Sequence, residues 1–171
     1  NNDGLNDLIV GDSIIQAKRA YYIILGGTQN VSNAVTLTGT SSSEAVMGAS
    51  GNDVLTGGQG TDIGYGGADR DTFVGGSNAD GAGDQVYGGA DGDDFDTLNL
   101  SGAGLHRLTD VVTDSDGNGI DGTVEFLDTD GNVTGSLNFS NIEEVIPCFT
   151  PGTLIATLGQ DGEKFKDSLE F

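Results

Sequence analysis

The sequence predicts an all-β fold in which a coil of very short strands is flanked by further antiparallel strands. Three observations predict it. Asp53, Asp62, Asp71 and Asp80 stand nine residues apart, each a few residues after a glycine-rich turn. Glycine supplies 30 of 171 residues, against a hydrophobic fraction of 35% with no Trp, so the core is modest and the turns are many. Outside the aspartate grid, apolar residues alternate or cluster between Asp/Asn/Gly turns, as in strands.

The grid comes first because it carries the chemistry. Its units read GASGNDVLT, GGQGTDIGY, GGADRDTFV and GGSNADGAG. A period this short is too small for a helical repeat. It suits a tight turn, a very short strand, and another turn. Glycine allows positive φ and close backbone approach in the turn. The aspartate at the sixth place sets a carboxylate against carbonyls that the turn has bent inward. That is an all-oxygen site for a hard cation, and calcium fits it best. A flexible linker would have no reason to keep aspartate on such a grid.

These units resemble the RTX nonapeptide, G-G-x-G-x-D-x-U-x, where U is a large apolar residue. Gly–Gly openings at 57–58, 66–67 and 75–76 carry the resemblance. It implies a parallel β-roll with two nonapeptides per coil and Ca²⁺ between turns stacked on one edge. Asp53 and Asp71 then share one edge, and Asp62 and Asp80 the other. After an offset of four residues, Asp84 and Asp93 continue the spacing of nine. Asp7, followed by Leu8 to Gly11, looks like an isolated earlier unit. At the U place stand Leu55, Gly64, Phe73 and Ala82. Leu55 and Phe73 would stack on one sheet, Gly64 and Ala82 on the other, with Val86 and Phe95 restoring large residues in the second phase.

Charge agrees with the grid. Asp plus Glu number 27 against 6 Lys plus Arg, a net charge of -21. Self-repulsion of this size opposes compaction unless cations neutralise it. It excludes nucleic acid and anionic membranes as partners, since both are polyanions. Without metal, the Gly/Asp-rich part is expected to behave as an acidic disordered segment. With one cysteine, Cys148, no intrachain disulfide can form, and metal is the available staple. No apolar run is long enough for a signal or a membrane span. The chain opens Asn-Asn, and it reads as a piece of a longer, secreted protein.

The remaining elements follow in order. Residues 1–47 form a β-rich segment with one roll-like turn at its start. Ser13–Ile15 and Tyr21–Leu25 are β-prone, Gln16–Ala20 is a basic and potentially helical interruption, and Asn33–Gly39 alternates like a strand. Residues 48–96 are the roll. Residues 97–146 read as an antiparallel cap, because a solenoid must cover its last coil. Thr97–Leu100, Val111–Thr113, Thr123–Leu127, Gly135–Phe139 and Ile142–Ile146 are its strands. DSDGNG at 114–119 and DTDGN at 128–132 are its turns. Asp114, Asp116, Asn118, Gly119 and Glu125 also match the spacing of an EF-hand loop. The flanks are β-prone and Asp121 stands where a hydrophobe belongs. An EF-hand, a non-helical calcium loop and a plain hairpin turn are the three readings of this stretch. His106 has no second His or nearby Cys, and its default is a surface or packing role.

From Asn141 the chain reads NIEEVIPCFTPGTLIAT. Cys148, Phe149, Thr150, Pro151, Gly152, Thr153 and the strand Leu154–Thr157 resemble the start of a Hint domain, the fold of hedgehog autoprocessing domains and inteins. Residues 147–171 would be its truncated beginning. The resemblance implies that Cys148, in the parent protein, attacks the carbonyl of Pro147 and converts the peptide bond to a thioester. The family's Thr-x-x-His is not matched here, and His106 lies upstream of the cysteine. The fragment itself is therefore expected not to cleave. The other reading of Cys148 is a small buried hydrophobe.

Two function classes stand. One is a calcium-binding structural or secretion module, exported unfolded through type I secretion and folding outside the cell. The other is the accessory region of an extracellular enzyme or adhesin, with a protein or carbohydrate target. No paired-carboxylate hydrolytic site is expected: Asp93–Asp94 and Glu143–Glu144 are sequence neighbours, which strands point to opposite faces.

Overall fold

The computed structural model describes residues 7–15, 18–26, 34–115 and 117–147. β1 (Asp7–Ile15) and β2 (Lys18–Gly26) precede the short strands β3 (Thr36–Thr38), β4 (Glu44–Ser50), β5 (Val54–Thr56), β6 (Ile63–Ala68) and β7 (Thr72–Val74). A single helical turn, α1 (Asn78–Gly81), separates these from β8 (Gln85–Asp91) and β9 (Thr97–Asn99). The chain then runs through β10 (His106–Thr113), β11 (Ile120–Leu127), β12 (Val133–Ile142) and β13 (Glu144–Ile146).

These strands form two sheets, ordered β1-β2-β4-β6-β8-β12-β11-β10 and β13-β9-β7-β5-β3. From β3 to β9, consecutive strands alternate between the sheets, and neighbours within each sheet run parallel. Two nonapeptides therefore complete one coil. This is a parallel β-roll, as the sequence predicts.

The core follows the register. Leu37, Leu55, Phe73 and Leu98 stack in one sheet, all buried. Val46, Gly64, Val86 and Phe139 face them from the other. Gly64 leaves room that Phe73 fills: a Cβ there would stand 3.0 Å from the Phe73 ring. The expected Leu55–Phe73 stack is present, but Ala82 and Phe95 do not hold the places assigned to them. Val86 lies against Gly64, and Phe95 is 41% exposed while Leu98 stacks on Phe73. Both shifts come from inserted residues. The α1 turn lengthens one connection. In the other, Asp96 follows Gly88 by eight residues where Asp71 follows Gly66 by five.

Each end of the roll is covered. β10, β11 and β12 form an antiparallel meander, β12 adds parallel to β8, and β13 adds parallel to β9. The cap thus extends both sheets, and Val124, Phe126, Leu137 and Ile142 bury against the last coil. At the other end, β1 and β2 pair antiparallel from Asp7↔Gly26 to Ile15↔Lys18, and β2 adds parallel to β4. Asp7 therefore begins a strand instead of sitting in a roll turn, and Lys18–Ala20 continue into β2 instead of forming a helical interruption. Aromatic and β-branched residues from Tyr21 to Ile24 favour the pleated surface and carry the strand through its basic start.

Candidate metal centre

The glycine turns place acidic residues in two ladders, one on each edge of the roll. On the first, the Val35 amide donates to Asp53 Oδ1, the Asp53 amide to Asp71 Oδ1, and the Asp71 amide to Asp96 Oδ1, each at 2.8 Å. The Asp96 amide donates to Glu143 Oε2. On the second, the Glu44 amide donates to Asp62 Oδ1 at 2.7 Å and the Asp62 amide to Asp84 Oδ1 at 2.8 Å. Glu44 itself accepts from the Thr40 amide at 2.9 Å. Backbone bonds lock the same rungs: Thr72 donates to the Asp53 carbonyl at 2.8 Å and Gln85 to the Asp62 carbonyl at 2.9 Å.

One oxygen of each interior carboxylate is therefore committed. The other is not. Oδ2 of Asp53, Asp62, Asp71 and Asp96 is buried with no hydrogen-bond partner among the described residues. Burying such an oxygen unpaired is costly, so its surroundings name the missing partner. Those surroundings are oxygens. A Cβ on Gly66 would stand 2.7 Å from the Gly88 carbonyl oxygen and against Asp71 Oδ2. On Gly57 it would stand 2.7 Å from Asp62 Oδ2, and on Gly48 it would meet Asp53 Oδ2 and the Gly66 carbonyl. Only glycine fits these positions, and beside Gly48 and Gly66 a carboxylate and a carbonyl oxygen converge. No cationic side chain enters among the described residues: Arg70 pairs with exposed Asp93 at 3.0 Å, and Arg107 with Glu125 at 2.6 Å. The residues present fit a hard cation of calcium's preference, bound by oxygen alone.

Burial dominates the electrostatics. It pushes the Asp71 and Asp96 carboxyls up to about 7 and Asp84 up to about 6. Backbone amide donors pull each down, and neighbouring carboxylates push each further up. Asp53 and Asp62 are raised by the same burial. The ladder is thus a column of carboxylates whose ionisation burial opposes.

The sequence-predicted residues separate clearly. Asp53, Asp62, Asp71 and Asp84 lie on the ladders. Asp80 does not: it sits in α1 and accepts from the Ser77 hydroxyl at 2.9 Å, and Asp84 takes the rung expected of it. Asp93 is displaced as well. It pairs with Arg70 at the surface, and Asp96 takes the next rung. Asp114 Oδ1 accepts the amides of Gly117 and Asn118 at 2.8 and 2.9 Å, folding the loop between β10 and β11. Strands flank that loop, and Glu125 faces Arg107, so the EF-hand reading is not the one adopted. His106 lies in β10 with Nδ1 2.8 Å from the Gly104 carbonyl. Asp116, Cys148 and the Hint-like stretch lie outside the described residues, as does the Asp7 side chain.

Glu44, Asp96 and Glu143 escaped the nonapeptide grid. A signal for Asp96 exists. Asp53-Val-Leu, Asp71-Thr-Phe and Asp96-Thr-Leu share an aspartate two residues before the stacked apolar residue. Glu44 stands eighteen residues before Asp62, one full coil, with Glu in place of Asp.

Among solved structures, the chain is similar to the AlgE6R3 subunit of the Azotobacter vinelandii mannuronan C5-epimerase. Identity is 21%, over 81% of this chain and 91% of that one, with a TM-score of 0.43. The comparison with curated proteins yields no match. Residues 38–73, which carry the rungs from Glu44 to Asp71, match the family model of the RTX calcium-binding nonapeptide repeat (4 copies). RTX calcium-binding repeats are thus assigned to residues 38–73.

Proposed function

We propose that this chain is a calcium-dependent structural module of a secreted protein, kept unfolded where calcium is scarce and folded outside the cell. One observation carries the reading: the unpartnered second oxygens of Asp53, Asp62, Asp71 and Asp96, with a backbone carbonyl oxygen beside those of Asp53, Asp71 and Asp96 and no cationic side chain near them among the described residues. Each rung divides its carboxylate between two tasks. One oxygen fixes the preceding turn through its amide, and the other awaits Ca²⁺. Ion binding and coil formation are then one event, because neither task is possible in the unfolded chain. The net charge of -21 supports the same view, since it opposes compaction until cations arrive. Affinity in the range of extracellular modules is expected, roughly 10⁻⁴ to 10⁻³ M per site. Circular dichroism should show a cooperative coil-to-strand change on adding calcium, reversed by chelator. A fully folded spectrum in chelator would refute the proposal.

The CFTPGT motif at 148–153 supports a further role in a longer parent protein. There Cys148 Sγ attacks the Pro147 carbonyl and its own amide nitrogen leaves, giving a thioester that water, a thiol or an amine then cleaves to release the calcium module.

A further inference from the structure

At the far end of the roll, the loop between β10 and β11 comes down on the last coil. Three carboxylates meet beneath it. Asp94 and Asp96 belong to the lengthened turn before β9, and Glu143 to the link between β12 and β13. One oxygen from each lies within 4.8 Å of the others. Each carboxylate is anchored by one oxygen. Asp96 Oδ1 accepts the Asp71 amide at 2.8 Å, Glu143 Oε2 accepts the Asp96 amide, and Asp94 Oδ2 accepts Nδ2 of Asn118. The remaining oxygens, Asp94 Oδ1, Asp96 Oδ2 and Glu143 Oε1, are buried without a hydrogen-bond partner among the described residues.

Acidic clusters are common and mean little alone. Asp96 is the independent observation, because it is wholly buried and its free oxygen faces the Asn141 carbonyl beside Gly88. A carboxylate oxygen in that position, with no hydrogen-bond partner among the described residues, calls for a cation. The spacing agrees, since oxygens on one calcium lie up to about 5 Å apart, twice the Ca–O distance.

We infer that Asp94, Asp96 and Glu143 hold a calcium ion at the seam between roll and cap, and that this ion docks the 114–119 loop. The site shares Asp96 with the ladder but is not completed by a repeat. Its ligands come from an insertion and from the cap, not from two successive glycine turns. The loop is shaped to close it. Asn118 is tied to Asp94, and Gly119, at φ +104, passes so near that a Cβ would stand 2.5 Å from Glu143 Oε1. Occupancy of the seam would therefore fix the first hairpin of the cap. The inference rests on the roll folding in calcium, and the test separates the two.

The test is an anomalous difference map from crystals of the whole chain grown in calcium. A peak about 2.3–2.6 Å from oxygens of Asp94, Asp96 and Glu143 is expected. Peaks beside Asp53, Asp62 and Asp71 with none at the seam would overturn the inference. A seam peak with empty rungs would uphold it and refute the ladder reading instead. In solution, Asp94→Asn and Glu143→Gln keep the anchoring acceptors. Each should lower the calcium stoichiometry by about one ion. Each should also remove calcium-dependent amide protection from the 114–119 loop while β5 and β7 keep theirs. Folded variants with unchanged stoichiometry and loop protection would overturn the seam site. If neither variant folds, the map alone decides.

Discussion

Asp71→Asn tests the ladder most directly. Asp71 is 1% exposed and holds the middle of its edge, with Asp53 on one side and Asp96 on the other. Asparagine keeps an oxygen for the Asp53 amide, so the backbone bond survives. What is lost is the charge beside the Gly88 carbonyl. In calcium at roughly 10 to 100 times the site's Kd, the bound ion stabilises the fold by about 1.4–2.7 kcal/mol, and losing one rung should cost about that much. Asp71→Ala should cost more, roughly another 1–3 kcal/mol, because the buried Asp53 amide then has no acceptor. Asp93→Asn is the control. Its ion pair with Arg70 is exposed on both sides and should contribute no more than about 1 kcal/mol. The assay is urea denaturation in excess calcium, alongside the calcium midpoint of folding. In calcium the order should be Asp71→Ala, Asp71→Asn, then Asp93→Asn near wild type. Equal losses at Asp71 and Asp93, or an unmoved calcium midpoint in Asp71→Asn, would refute the reasoning.

Acidity should act on the same carboxylates. Their folded pKa values, about 7 for Asp71 and Asp96 and about 6 for Asp84, lie above the unfolded aspartate value near 4. Between those limits the folded state binds more protons, so without calcium the balance favours folding most below about pH 4 and shifts toward coil as pH rises to 7; circular dichroism in chelator at acidic and neutral pH checks this, and strand content that rises with pH would contradict it. Calcium must displace those protons, so its affinity should climb over the same window, as calorimetry at several pH values would show. Gly66→Ala should weaken calcium-dependent folding about as much as Asp71→Asn, since its Cβ would occupy the space between Asp71 Oδ2 and the Gly88 carbonyl; Gly102→Ala, which meets nothing within 4 Å, should shift stability by no more than about 0.5 kcal/mol. In a parent protein carrying a complete Hint domain, Cys148→Ala should abolish cleavage after Pro147, while the 171-residue chain keeps that bond; intact mass decides both.

The roll was legible because its signal is local. A period of nine with glycine and aspartate at fixed places dictates turn, strand and edge without reference to distant residues. Leu55 over Phe73 followed from that period alone. The reading failed wherever extra residues entered a turn. α1 moves the rung from Asp80 to Asp84, and the longer turn after Gly89 moves it from Asp93 to Asp96. Counting in nines cannot see such shifts, whereas the position of aspartate relative to the next stacked apolar residue can. The cap's turns were legible from their Asp/Asn/Gly chemistry, and Asp128 Oδ1 accepts the amides of Asp130 and Asn132 as such a turn requires. Its attachment was not legible. Parallel pairing of β12 with β8 joins residues some fifty positions apart, and no local pattern encodes that.

Glutamate opens one ladder and closes the other. The rungs on the roll's turns between them are aspartate: Asp53, Asp62, Asp71, Asp84 and Asp96. The one-methylene side chain suits a gap set by the spacing of adjacent strands, about 4.8 Å. The two glutamates stand where that spacing no longer applies. Glu44 opens its edge and accepts the Thr40 amide of its own segment. Glu143 closes the other edge from the cap, where the chain has left the coil, and spans to the Asp96 amide. A solenoid with nearest-neighbour coupling is weakest at its ends, because a terminal unit has one neighbour instead of two. The longer side chains answer that weakness by completing the column of acceptors where no further repeat can. Both ladders thereby begin and end on protein groups, and Asp53, Asp62, Asp71 and Asp96 each keep one oxygen without a hydrogen-bond partner among the described residues.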